Sequence, residues 1–511
     1  MNARGRGRIS PWLLLGTLAA SVLAALPLAF LLVRASQAGW DKLWTLISTP
    51  HVMGLLQNTL VLAVTVVAAS AVIGVFAAWC VERTDLPGRR FWSVLLVLPM
   101  AVPDFVSGYG WVSLFPAVHG FGGAALVMTL SLYPLIFVPV AASLRQSDPL
   151  LAEVARGLGL GPWRTFWRVV LPEIRPALAG GCVLVVLAIL AEYGAFEILR
   201  FQTFTTAIFT EFTLGFDTPG ACAESLVLVF FGLLVLTGER TGPGRIRGGS
   251  GSRRPPTRWS LGHGRAAVLA AFAGVLAVAL GVPLFSLGWW LSQGNSSTLP
   301  RTSLWSAMAA TAVYAAAAAA LAATLAVALA AFSLKYRNFW GRSAERLAYL
   351  PQAIPGVVVG LALVFFALHA AAPFYQSPVL LVIAYANLFL PLALVPVRAV
   401  LSQTSSSVQE AARSLGASPV SVFWRVRLPL LVPGLAAAFA LVFLSASTEL
   451  TATLLLRPTG LETLSTQFWR YVSAVSYGAA APDAVLLVLL SLGPGILLAV
   501  RSGRTTGAVR R

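Results

Sequence analysis

The 511-residue sequence predicts an all-α polytopic membrane protein of about 12 transmembrane helices. They form two tandem six-helix modules with both termini cytoplasmic. Three observations carry this. Hydrophobic residues make up 58% of the chain and charged ones only 11%, against about 25% charged in a soluble domain. Uncharged stretches of bilayer length recur along the chain, each near the 20 or so apolar residues a crossing helix needs. The second half also repeats the first.

In chain order, the apolar stretches lie near 11–33, 59–81, 91–114, 121–143, 176–199 and 219–237, then 266–291, 306–333, 347–368, 379–397, 431–455 and 483–500. The first is too long, and too poorly followed by a cleavage site, to be a removed signal peptide. Arg4, Arg6 and Arg8 orient it with the N-terminus inside. Sorting the 36 Lys and Arg on that topology places 30 on the cytoplasmic side and 6 outside, the asymmetry of a positive-inside protein. The net charge of +18 is therefore topology and excludes nucleic acid as a partner. Cys80, Cys182 and Cys222 lie in or beside apolar stretches without CxxC spacing, so neither a disulfide framework nor a metal knuckle is expected.

The internal repeat sets the domain organisation. At an offset of 257 residues, 12 of 20 positions are identical between 153–172 and 410–429. Pro134/Pro391, Pro139/Pro396, Pro176/Pro433, Glu192/Glu449 and Arg200/Arg457 keep the same offset, and LPMAVP (98–103) returns as LPQAIP (350–355). Six spans per copy make this a parallel repeat. The first half is 1–237, with a core at about 55–237. An Arg/Gly/Pro-rich cytoplasmic linker, expected to be unstructured, covers 238–265. The second half is 266–511, with a core at about 302–500.

The strongest identity falls in cytoplasmic loops, 145–175 and 398–430, each long for a connector. Each reads as two short helices. In the first copy Ser147 or Asp148 can cap, Pro149 opens the helix, Gly157 and Gly159 interrupt, and Pro162 restarts a helix that Leu171–Pro172 ends. The second copy has caps at Ser405 to Ser407, a break at Gly416 and a restart at Ser418–Pro419. An amphipathic helix–turn–helix presented twice suits docking of a two-fold symmetric partner. A pair of interfacial helices is the plainer alternative.

These loops resemble the EAA loop of the membrane subunits of bacterial ATP-binding-cassette (ABC) importers, E-A-A-x-x-x-G followed by I-x-L-P. The second copy reads EAARSLG then VRLP, the first EVARGLG then VVLP; Val154 replaces the middle Ala, and Val replaces Ile in both. The resemblance covers nearly the whole chain and implies two type-1 permease modules in the bacterial inner membrane. It implies that the loops couple to two copies of a cytoplasmic ABC ATPase, which would hold the ATP and Mg, and that a periplasmic binding protein delivers the solute. Glu153 and Glu410 would pair with a cation of the ATPase, Ala155, Ala411 and Ala412 would permit close approach, and Gly159 and Gly416 would sharpen the turn. Segments 448–469, 192–209 and 83–92 resemble more narrowly the fused permeases of ferric-iron importers. Fused permeases for thiamine, or for small solutes such as phosphonates, look similar.

No cofactor is expected on this chain, and none of its residues is expected to be catalytic. Its two lysines, Lys42 and Lys335, do not sit in GxxxxGK[ST], so ATP hydrolysis belongs to a partner. No metal site is assigned, since His51, His119, His263 and His369 are scattered. Candidates for the translocation path are the acids at membrane depth, Asp104, Glu192 and Glu449, oxygen donors suited to a hard cation such as ferric iron. Glu192 and Glu449 can equally sit at the membrane boundary or pair with Arg200 and Arg457. The prolines Pro99, Pro103, Pro351 and Pro355 are expected to kink helices. A major-facilitator carrier shares the twelve-span duplication, and DLPGRR (85–90) partly echoes its loop motif. Leu86 replaces that motif's first basic residue, and the duplicated EAA loops have no place there. A non-transporting scaffold has no positive feature in its favour.

Overall fold

The computed structural model describes residues 11–147, 149–215, 218–238, 258–293, 302–336, 338–403, 414–416, 418–422, 425 and 428–505. Among them the regular structure is helical, with one isolated bridge between Thr84 and Trp259. The first half comprises α1 (Pro11–Ala38), α2 (Trp40–Ile47), α3 (Pro50–Arg83), α4 (Arg89–Leu95), α5 (Asp104–Leu114), α6 (Gly120–Gln146), α7 (Pro149–Gly157), α8 (Pro162–Thr165), α9 (Leu171–Ala191), α10 (Gly194–Ile198), α11 (Phe204–Thr213) and α12 (Thr218–Gly238). The second comprises α13 (Gly264–Leu276), α14 (Val282–Ser292), α15 (Thr302–Lys335), α16 (Phe339–Ala348), α17 (Gly356–Ala370), α18 (Pro378–Gln403), α19 (Pro419–Val422), α20 (Leu428–Ser447), α21 (Thr451–Leu456), α22 (Leu464–Ser473) and α23 (Tyr477–Thr505). α3 and α15 are both 34 residues long, and α11 and α22 both 10. Matching Thr203/Thr206 and Thr463/Thr466 capping boxes start the latter two.

Nine described helices are long and apolar enough to cross a bilayer, and two bent pairs raise the number to eleven. With the shorter apolar helix at Tyr477–Leu492 they fall in turn on the twelve apolar stretches. The third and ninth stretches are not continuous. Arg89–Ala101 meets Asp104–Leu114 at 85°, and Phe339–Ala353 meets Gly356–Ala370 at 109°. Each break falls at its LPxAxP motif, where a 3-10 turn (Leu98–Ala101 or Leu350–Ala353) ends at an extended residue before proline, as the proline ring requires. The fifth and eleventh are also shorter than read: their helices stop at Ala191 and Ser447, before Glu192 and Glu449.

Proline does not end the helix at Leu171–Pro172, contrary to the reading above. Pro162 to Ala191 is one helical run through a π turn at Phe166–Val170. Pro172 lacks an N–H and would crowd an α-helical carbonyl one turn earlier; the wider turn relieves both conflicts. The same device precedes Pro283, after a π turn at Ala277–Gly281.

Small residues let the helices approach closely, as membrane packing favours. Gly74 of α3 lies against the Tyr133 and Phe137 backbone of α6, and Gly181 of α9 against Ile136, where an added Cβ would stand 3.0 and 2.9 Å from backbone atoms. In α15, Ala315, Ala318, Ala319, Ala322 and Ala326 form a fully buried stripe. The leading helices cross over. α1 packs on α15, α16 and α17 of the second half. α14 packs on α5 of the first, with Pro283 against Gly110 and Ser286 2.8 Å from Ser113. Phe272 of α13 meets Phe76 and Trp92 at 6.3 and 5.6 Å. Neither half is packed without the other. The three cysteines are free.

Candidate translocation path and coupling loops

Four helix interruptions converge between the halves, at Asp104, Glu192, Gly356 and Glu449. Asp104 opens α5 and accepts a hydrogen bond from Ser131 of α6. Its first-turn position favours a carboxylate, because the unpaired N–H groups there carry partial positive charge. Glu192 follows the last residue of α9, and its Oε1 accepts the Ala195 N–H at 2.7 Å, capping α10. Glu449 does the same for α21 through the Ala452 N–H at 2.9 Å. Each break is pinned by a hydroxyl on the glutamate's own carbonyl: Thr205 on Glu192, and Thr453 on Glu449 at 2.8 Å. Thr453 is held in turn by Tyr385, 2.6 Å away.

The structure brings the three acids together. Asp104 and Glu449 both lie within electrostatic range of Glu192, and all three are partly exposed. The contact between halves here is close. Gly194 leaves no room for a side chain, since an added Cβ would lie 2.8 Å from Leu450 and 2.9 Å from Phe105. Repeat symmetry holds in the packing, with Gly108 against Ala195 and Gly360 against Ala452. It fails at one point: Gly356 stands where the first half has Asp104, with Glu449 Oε1 against it. The arginine partners do not materialise, because Arg457 lies 3.7 Å from Glu462, not at Glu449, and Glu192 is engaged by Ala195. Arg200 instead adopts a left-handed conformation (φ 53°) and lines a cavity of about 320 Å³ with His51, Glu197, Thr206, Thr210 and Glu211. Among the described residues no three His, Cys, Asp or Glu side chains are grouped to hold a metal ion.

In the first loop, α7 carries a half-buried Glu153 and a buried Ala155. It ends as a glycine C-cap: the Leu160 N–H reaches back to the Ala155 carbonyl at 3.1 Å, with Gly159 at φ 82°. That bond and that left-handed residue define a Schellman turn. Ser147 does not cap α7; it closes α6, bonding Leu144, and accepts from the Arg83 guanidinium. Asp148 lies outside the described residues, as do Glu410, Ala411, Ala412 and the caps at 405–407. The described part of the second loop matches the first at Gly416, also at φ 82°, and adds a cap where the first has Gly161, with Ser418 accepting the Ser421 N–H at 3.2 Å.

The profile of the family described as binding-protein-dependent transport system inner membrane component matches residues 70–238 and again 322–504. The chain belongs to that family. It is an ABC importer permease with two fused modules and a multi-pass protein of the inner membrane. The permease is 37% identical over 493 residues to Fe(3+)-transport system permease protein FbpB 2 of Haemophilus influenzae, covering 95% of this chain and 97% of the relative. It is 24% identical to the ferric transport system permease protein FbpB of Actinobacillus pleuropneumoniae, over 86% of this chain and 70% of the relative. The sulfate transport system permease protein CysT of Escherichia coli is 32% identical over 41% of this chain and 83% of its own length.

Sequence reasoning paired Gly356 with Asp104 without assigning it a part in the central site, and it missed Thr205, Tyr385 and Thr453. For Gly356 the signal was present, since the repeat aligns it with Asp104. The hydroxyls carried none.

Proposed function

We propose that this permease forms the inner-membrane path for ferric iron. A periplasmic binding protein delivers the ion, and an ATPase coupled at loops 145–175 and 398–430 drives its passage, with both termini on the ATPase's side. The observation that carries this reading is the convergence of Asp104, Glu192 and Glu449 at helix breaks between the halves. Interrupted helices at mid-span are where transporters build substrate sites, and carboxylate oxygens suit a hard trivalent cation. The relative named for Fe(3+) transport, aligned over 95% of this chain, supports the same substrate. In the loops, Glu153 and Glu410 pair with the ATPase, Ala411 and Ala412 seat it closely, Ala155, buried within this chain, lets α7 pack closely in its own loop, and Gly159 and Gly416 set the turn. Closure of two ATPase copies then moves each half as a rigid body together with the leading helix of the other half packed on it.

The test is uptake of radiolabelled ferric iron in cells with and without this chain, with labelled thiamine in parallel and a Glu153→Ala/Glu410→Ala double variant. Iron uptake falls in the deletion and the double variant while thiamine uptake does not change. Unchanged iron uptake on deletion rejects the substrate. Loss of thiamine uptake instead keeps the mechanism and changes the cargo.

A further inference from the structure

Residues 258–263, the end of the stretch expected to be an unstructured linker, are ordered against the foot of α3. The Trp259 N–H donates to the Arg83 carbonyl at 2.9 Å, and the Asp85 N–H donates to the Trp259 carbonyl at 3.1 Å. The Asp85 carboxylate accepts the Leu261 N–H at 2.9 Å through Oδ1, and its Oδ2 pairs with Arg265 in the first turn of α13. The same turn of chain grips the beginning and middle of the first coupling loop. Glu82 pairs with Arg145 at 2.6 Å, and Arg83 donates to Ser147. Trp79 lies between the two, with ring centroids 6.4 Å from Trp259 and 6.5 Å from Phe166. Residues 79–85 are therefore a hub joining the first coupling loop to the leading helix of the second half. The second half lacks the device in its sequence: 252 residues beyond Asp85 stands Arg337, which cannot accept a hydrogen bond or pair with an arginine.

We propose that Asp85 is a positioning residue for the first coupling loop. By holding residues 258–263 and α13 on the hub, it ties that loop to the second half, so that the two coupling loops respond unequally to the ATPases. This rests on reading loops 145–175 and 398–430 as the ATPase contacts. It acts through backbone and side-chain restraint, with no covalent step.

The experiment is hydrogen exchange on the purified full-length permease in lipid nanodiscs, with ferric uptake in cells, for Asp85→Ala, Asp85→Asn, Asp85→Glu and Arg265→Ala. Asp85→Ala and Arg265→Ala raise exchange at 258–262 and in the loop at 149–168 by about fivefold, the scale of a single exposed ion pair, and both lower uptake. Asp85→Asn keeps an acceptor for the Leu261 N–H and falls between, while Asp85→Glu restores both readouts. Freed residues 258–262 with unchanged exchange at 149–168 would overturn the proposal, as would full uptake in Asp85→Ala. If the Glu153→Ala/Glu410→Ala variant transports normally, the coupling reading fails on its own, and the exchange data still decide whether Asp85 holds the loop.

Discussion

Replacing Glu192 by Gln and, separately, by Ala divides the two tasks its carboxylate can perform. As a cap, it accepts the Ala195 N–H at 2.7 Å through one oxygen. Glutamine presents the same oxygen and alanine none, so only the alanine variant loses a cap, at a cost of about 0.5–2 kcal/mol. As a charge, it is one of three converging acids. A trivalent ion 4 Å from one carboxylate gains about 12 kcal/mol of gross attraction at an effective dielectric of about 20, three times the unit-charge figure. Desolvation cancels most of that, and a surviving tenth, about 1.2 kcal/mol, is nearly tenfold in affinity. Both variants therefore lose about tenfold in ferric uptake at limiting iron, while only Glu192→Ala melts lower in detergent. Glu449→Gln and Glu449→Ala repeat the pattern through Ala452. Wild-type uptake by the glutamine variants, with loss only in the alanine ones, would show that the acids are caps and refute the cation path.

Gly159→Ala and Gly416→Ala place a side chain at φ 82° with nothing within 4 Å, so the cost of about 1–2 kcal/mol is purely conformational. Uptake falls with each, the melting temperature drops slightly, and asparagine, which tolerates this region better, retains more uptake than alanine. Gly110→Ala drives a methyl to 2.7 Å from Pro283 Cα and costs about 1–3 kcal/mol through overpacking. Gly122→Ala, in open space, is the melting control and does not destabilise. Arg265 and the Leu261 N–H hold the Asp85 carboxyl below its usual range. Its contribution is therefore complete above the ordinary aspartate value of about 3.9 and disappears as pH falls through the depressed folded value. Exchange protection at Leu261, corrected for intrinsic rates, is flat from about pH 8 to 5 and is lost only as pH falls through that depressed value, below the ordinary aspartate range.

What was legible in the sequence followed from constraints acting along the chain. A bilayer demands runs of apolar residues of fixed length, so each of the twelve stretches marks a helix or a bent pair. Duplication exposed the coupling loops because their identities survive where lipid-facing residues drift. What escaped depends on contacts between distant segments. LPMAVP and LPQAIP announced kinks, but bends of 85° and 109° arise where the broken helices pack against the opposite half. The pairing of Glu192 with Arg200 fits eight residues of separation, yet the backbone turns at Glu192 and offers it the Ala195 N–H first. The Gly, Pro and Arg content up to 265 describes a linker. Only folding places Leu261 against Asp85, 176 residues away.

The departures from repeat symmetry show what fusion of the halves permits. Two identical halves would carry the same residue at the positions of Asp104 and Gly356, so either two or four carboxylates would meet at the centre. Four would crowd the centre: a Cβ at 356 would stand 2.8 Å from Glu449 Oε1, so that side chain would have to move, and an aspartate there would bring one carboxylate up to another, which disfavours both charges. Two would leave the glutamates alone. Within one chain, each position diverges separately, and an odd number of acids becomes possible. The hub at Asp85 is a second such departure, on the coupling side. Both lie in the first half, so that half carries the additional acid at the centre and the additional tether at the loop.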